Sequence, residues 1–357
     1  MKFLRLLLFP ACFFLLKPAA DAQDIHFSMF NMMPTMLNPA HTGAFNGTVR
    51  VGGIYRDQWG SFLGNQFQTP GFYADAPILI VRKHDWVGVG LTVYQDKAGS
   101  LGLKNGGFLF GASYHLAMDK RRKNVLTLGV QGGTVQRELD QMMVNNARFA
   151  DVLLSENPSG PASQSMDFSS LQGMGTNSFD LNAGLMLVGK PTKQALYRAG
   201  FAVHHILTPN YSILNPNAPG SGSGGNGPDP NALPVRLSVH GELEYDLDGP
   251  WSLNPSLLFM NINNQNQVNL LAWAGYLINE DKDVTLRFGL GHRFGRDGEV
   301  LLGVDVKDLR VAASYDLNFS QLQDATNVRG GFELAASYII KVYQTPELPT
   351  VILCPEL

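Results

Sequence analysis

The chain has 357 residues, only 16% of them charged, a formal net charge of -3, 38 glycines and a mean hydropathy of -0.04. That average is too low for a helical membrane protein, and no apolar run of about 18–20 residues follows the first 20, which excludes a spanning helix. The one basic tract, Lys120-Arg121-Arg122-Lys123, sits between two strand patterns and reads as a turn, so nucleic acid is not expected as a partner.

In chain order the first element is an export signal. Lys2 and Arg5 precede an apolar core from Leu6 to Leu16, interrupted by Pro10, and Ala20-Asp21-Ala22 supplies a small-x-small cleavage pattern. Residues 1–22 are therefore expected to be removed, leaving Gln23 first. Phe9-Pro10-Ala11-Cys12 lacks the leucine of a lipidation box and lies inside the apolar core. Cys354 is then the one remaining cysteine, which rules out an intrachain disulfide and a multi-cysteine metal site in the mature chain. An exported domain of this size needs another source of stability, and a closed hydrogen-bonded sheet provides one.

From Val49 onward the dominant signal is a period of two. Val235, Leu237, Val239, Gly241, Leu243 and Tyr245 alternate with Arg236, Ser238, His240, Glu242 and Glu244, and similar rows recur around Phe179–Leu187, Val284–Gly291 and Phe332–Ile340. Strands are expected at 49–59, 69–81, 86–96, 104–118, 124–137, 177–188, 195–204, 233–245, 250–261, 266–278, 283–292, 298–306, 309–317 and 328–341. Ile54 on a polar face and Pro255 within a strand are the two irregularities. The set makes an all-β fold: a transmembrane antiparallel up-and-down β-barrel of about 14 strands, with residues 49–341 as barrel and 342–357 as tail.

The connections follow the same logic. Those after even-numbered strands are short and polar, whereas the longest, Glu138–Thr176 and Ile206–Ala232, follow odd-numbered strands, as expected if turns face the periplasm and loops the exterior. The Gly/Ser/Pro-rich stretch Ala218–Pro230 is expected to be disordered outside the cell. Trp59, Tyr73, Trp86, Tyr94, Tyr114, Trp251, Tyr276 and Tyr338 fall near strand ends, where an interfacial aromatic girdle belongs.

The sequence carries no catalytic constellation. His204-His205 are strand neighbours expected on opposite faces, and the other histidines lack ligand spacing. Gly220–Gly224 matches a nucleophile-elbow pattern only inside the low-complexity loop, and the glycines at 102–107 and 129–133 read as relief of sheet curvature. No cofactor, metal or enzymatic activity is expected.

Gln23-Asp24-Ile25-His26-Phe27-Ser28-Met29-Phe30, then Leu37-Asn38-Pro39-Ala40-His41-Thr42-Gly43, then Tyr55-Arg56-Asp57-Gln58-Trp59 open the mature chain. Ser314-Tyr315-Asp316-Leu317-Asn318, Arg329-Gly330-Gly331-Phe332-Glu333-Leu334 and Cys354-Pro355 close it. The ordered series resembles PorP/SprF proteins, apart from Glu356-Leu357, where that family has a basic residue and Phe. The resemblance implies an outer-membrane component of Bacteroidetes type IX secretion. It implies as partners the bilayer, other periplasmic and outer-membrane secretion proteins, and cargo with a C-terminal targeting domain such as gliding adhesins. The motif residues Gln23, Asp24, His26, Phe27, Asn38, Pro39, Arg56, Trp59, Asp316, Arg329 and Glu333 are candidate structural or partner contacts.

Asn38-Pro39 is a turn former. Residues 23–48 are expected at the periplasmic mouth or in the lumen as a plug, where Phe27, Phe30, Met32, Met33 and Met36 would pack. Arg56 and Gln58 should face the lumen, pairing with Glu333 or Asp316 once the last strand meets the first. A diffusion channel is the alternative reading of the same barrel.

Overall fold

The computed structural model describes residues 25–60, 67–81, 84–99, 102–120, 123–140, 175–210, 232–263, 265–320 and 326–342. The export signal, Gln23, Asp24, the Ala218–Pro230 stretch and both cysteines lie outside these residues.

Fourteen strands form a closed antiparallel barrel in simple up-and-down order. They are β1 (Val49–Gln58), β2 (Gln68–Ile80), β3 (Trp86–Ala98), β4 (Leu103–Ala117), β5 (Asn124–Glu138), β6 (Gly175–Gly189) and β7 (Ala195–His204). β8 (Arg236–Asp246), β9 (Trp251–Ile262), β10 (Gln265–Asn279), β11 (Val284–Arg293), β12 (Asp297–Val306), β13 (Leu309–Asn318) and β14 (Arg329–Ile340) complete it. No strand end departs from the sequence expectation by more than three residues. β14 closes onto β1 with Arg56 directly opposite Glu333 and Val49 opposite Ile340.

The sheet is inside out relative to a water-soluble sandwich. On β8 the inward Arg236, Ser238 and His240 are 6%, 1% and 4% exposed, while the outward Leu237 and Val239 are 38% and 47% exposed. Outward rows of Phe, Leu, Ile and Val continue round the barrel, and a bilayer is the solvent that suits them. Among the described residues no helix is long and apolar enough to cross a membrane.

Both irregularities have physical explanations. Ile54 does face inward, where it joins a buried apolar cluster with Met33 and Tyr73. Pro255 is tolerated because the β8–β9 ladder skips it: pairing runs from Glu242↔Ser256 directly to Tyr245↔Leu253, so a missing N–H costs nothing there.

Two expectations need correction. Tyr73 and Tyr94 are not girdle residues: they point inward and are 1% and 7% exposed, their rings covering Gly52 and Gly107. Trp86 also turns inward, stacking on His115 with ring centroids 4.5 Å apart. Trp251 and Tyr276, by contrast, pair on the outer surface at 4.8 Å. The histidine pair does not straddle the sheet either. β7 ends at His204, and His205 has a φ of 59°, which breaks the alternation and leaves both rings buried, 6.3 Å apart.

Candidate functional site: a threaded luminal plug

Residues 25–48 run through the lumen. Phe30–Met32 and Pro39–His41 are single 3-10 turns, and Pro34–Leu37 is one turn of helix, α1, so the segment is held by the wall rather than by its own regular structure. Its start, Ile25, lies beside Arg236 at the long-loop end, whose Nη1 donates to the Ile25 carbonyl at 3.4 Å. Its end, Thr48, meets Ile340 at the short-turn end, N–H to carbonyl, 2.8 Å. Under the periplasmic-turn rule, the plug therefore passes from the exterior side inward to the periplasm.

The first anchor is an ionic latch. The Glu333 carboxylate accepts the backbone N–H groups of Ser28 and Met29 at 2.7 and 2.9 Å and binds Arg56 across the closing seam. Arg56 also pairs with Asp316 at 2.8 Å. The Ser28 hydroxyl donates to Asp316 at 2.9 Å and accepts from Arg56 at 2.8 Å and Arg293 at 3.0 Å. Arg293 continues the network to Asp297 at 2.8 Å and Glu299 at 3.4 Å. Charges this deeply buried persist because each faces an opposite charge and most of their polar atoms are hydrogen-bonded, Arg293 Nε being an exception.

The second anchor is Asn38-Pro39. Asn38 caps the 3-10 turn by accepting the Ala40 N–H at 2.9 Å. Its Nδ2 lies 3.1 Å from the Leu185 carbonyl, 3.3 Å from that of Phe201 and 3.1 Å from His240 Nε2. The wall makes room with missing side chains: a Cβ at Gly184 would stand 1.9 Å from Asn38 Oδ1, and one at Gly129 would stand 2.3 Å from Ala40 N. Gly129 thus admits the plug, a role that curvature alone did not suggest.

The third anchor holds the lower end. The Gly43 N–H donates to Asp75 at 2.7 Å, Trp86 Nε1 donates to the Gly43 carbonyl at 3.0 Å, and Arg50 clasps Asp75 at 2.8 Å and the His41 carbonyl at 3.1 Å. Between the anchors, Phe27, Met29, Phe30, Met32 and Met33 fill an apolar waist made by inward residues such as Leu258, Trp273 and Leu301. Methionine suits so irregular a surface. Polar vestibules remain on either side. The short-turn side has a cavity of about 340 Å³ lined by Arg50, Arg198, Glu244 and Arg310, and the long-loop side has one of about 170 Å³ lined by His26, Trp59 and Arg296.

The structure thus brings Arg56, Asp316 and Glu333 together around Ser28, buries Phe27 in the waist and seats Asn38-Pro39 against β6 and β7. His26 and Trp59 line the long-loop vestibule, while Arg329 stands exposed at the start of β14, outside the latch. Sequence reasoning missed Ser28, Asp75, Arg293 and Glu299. Arg293 shares the inward phase of Arg287, and Asp75 lies opposite Arg50 in the first hairpin, so the strand period contained a signal for both. Among the described residues no group of three or more His, Cys, Asp or Glu could hold a metal ion.

A barrel with an oily exterior and a segment of its own chain tied inside it is an outer-membrane protein. Residues 19–338 match the family model described as type IX secretion system membrane protein PorP/SprF, and the chain belongs to that family. No curated protein matches it. Similar solved structures include the CymD monoaromatic hydrocarbon channel, with a TM-score of 0.49 and 11% identity over 88% of this chain and 94% of that one. The Ralstonia pickettii toluene transporter TbuX gives 0.49 and 13% over 87% and 93%, and the P. putida toluene transporter TodX gives 0.47 and 11% over 86% and 93%.

Proposed function

We propose that the protein is a non-enzymatic docking component of type IX secretion, which supports the export or surface anchoring of cargo, gliding adhesins among them, through the cargo's C-terminal targeting domain. The family supports the secretion role. The observation that carries a docking role over a transport role is the threaded plug. Its buried ionic latch and methionine-packed waist close the lumen, so cargo and machinery meet the barrel at its rims, its loops and the exposed ends of the plug.

The test is affinity capture of the full-length protein from gently solubilised outer membranes. Recovery of secretion components or adhesin cargo is expected, and recovery of neither overturns the reading. The alternative, a diffusion channel, requires stable open conductance from the purified wild-type protein in planar bilayers, where silence is expected.

A further inference from the structure

Six arginines inside the barrel are paired, whereas four lysines on one arc of its short-turn rim hold no ion pair among the described residues; farther round, Lys341 pairs with Asp308. In the lumen, Arg50, Arg56, Arg198, Arg287, Arg293 and Arg310 each hold a carboxylate. On the rim, Lys120 and Lys123 of the β4–β5 turn and Lys190 and Lys193 of the β6–β7 turn are exposed. No ion pair involves any of these four among the described residues. Asp119, the acid in their midst, is occupied by the turn itself, accepting the N–H groups of Lys123 and Asn124 at 3.1 and 2.7 Å. The sequence adds Arg82 and Lys83 to the β2–β3 turn and Arg121 and Arg122 to the β4–β5 turn.

The next two turns have the opposite sign, before the β12–β13 turn, where Lys307 and the paired Asp308 and Lys341 restore a mixed charge. Asp246 and Asp248 flank the β8–β9 turn, and Glu280, Asp281 and Asp283 outnumber Lys282 in the β10–β11 turn, all of them exposed. Because strands are adjacent in sequence order round the barrel, the basic turns form one continuous arc and the acidic turns another. The arcs meet at Gln194, whose Nε2 donates to Asp248 at 3.3 Å and whose carbonyl accepts the Asp246 N–H at 2.8 Å.

We propose that this rim is a bipolar docking face for a periplasmic protein, which presents carboxylates to the β2–β7 turns and basic side chains to the β8–β11 turns. The proposal rests on the secretion reading above and adds the surface, its chemistry and a fixed rotational setting of the partner. Lipid does not account for the pattern, since phospholipid surrounds a barrel on all sides and headgroup phosphates favour cations equally at every azimuth. Solubility does not account for it either, since a surface kept soluble by charge intersperses both signs. Two arcs of opposite sign steer and orient a partner with the reverse pattern.

The test uses the full-length protein in gently solubilised outer membranes. One variant combines Lys120→Glu, Lys123→Glu, Lys190→Glu and Lys193→Glu, and a second combines Asp246→Lys, Asp248→Lys and Glu280→Lys. Both change exposed turn residues, and retention of heat-modifiable gel migration verifies that the barrel still folds. Recovery of periplasmic secretion components should fall about tenfold in each variant, and wild-type recovery should fall with added salt.

Undiminished recovery in both variants overturns the bipolar face and leaves the secretion reading standing. So does a lysine variant that recovers partners normally and differs only in its melting in phosphatidylglycerol nanodiscs, since its lysines then serve lipid phosphates. If the wild type recovers no secretion component, the secretion reading fails. Photo-crosslinkers at Lys190 and Glu280 in living cells then decide the inference separately: adducts at both sites to one protein, lost on charge reversal, uphold it, and no adduct at either overturns it.

Discussion

Glu333 accepts two backbone N–H groups of the plug and an arginine from the neighbouring strand, so removing its charge leaves Arg56 buried without its nearest partner. Breaking a buried ion pair from one side costs about 3–5 kcal/mol, and Glu333→Ala should lower the unfolding free energy by about that much in a urea titration followed by gel migration. Arg56→Ala should cost a similar amount, and the double variant clearly less than the sum, because the two residues share one network. Asn38→Ala removes a cap and the contacts to two wall carbonyls and should cost about 1–3 kcal/mol in the same titration. The seam pair was legible in the sequence, because closing an up-and-down barrel brings the last strand to the first. Ser28 was not: its contact with Glu333 spans 305 positions and depends on where an irregular segment comes to rest.

At the scale of elements, period-two alternation located all fourteen strands because each has one face in hydrocarbon and one in a polar interior. The same period could have sorted the aromatic residues. Tyr73 is two positions from Asp75, and Tyr94 two from Asp96, so each shares a face with a carboxylate. Position along the strand suggested the girdle, and phase was the better guide. The plug has no period to read. Its path follows from a socket spread over many strands: glycines at 129 and 184, an apolar waist, and acids on β2, β13 and β14. Ile54 looked like a defect in β1 because the plug that covers it was invisible to the pattern. A prediction belongs to this scale. A variant combining Glu333→Ala with Gly184→Val removes the latch and forces Asn38 off the wall. It should show frequent conducting openings in planar bilayers where the wild type is silent, and continued silence would mean that the waist alone holds the segment.

At the scale of the whole molecule, the barrel rule and the plug's two ends make an orientation prediction. In a background with Cys354→Ser, a cysteine at Ile25 should react with a membrane-impermeant maleimide on intact cells. One at Thr48 should react only after the outer membrane is breached. The reverse labelling would invert the barrel, and equal labelling would mean that the segment does not thread it.

The placement of the latch also orders assembly. The acceptor for the Ser28 and Met29 N–H groups is on the fourteenth strand, while the groups themselves precede the first. A nascent chain missing its final strand therefore offers the Ser28 and Met29 N–H groups no carboxylate, and that strand is also the one that completes the wall. Locking the head of the segment and finishing the cylinder are thus a single event, so an interrupted insertion leaves an open wall with its stopper tied only farther along, at Asn38 and Gly43.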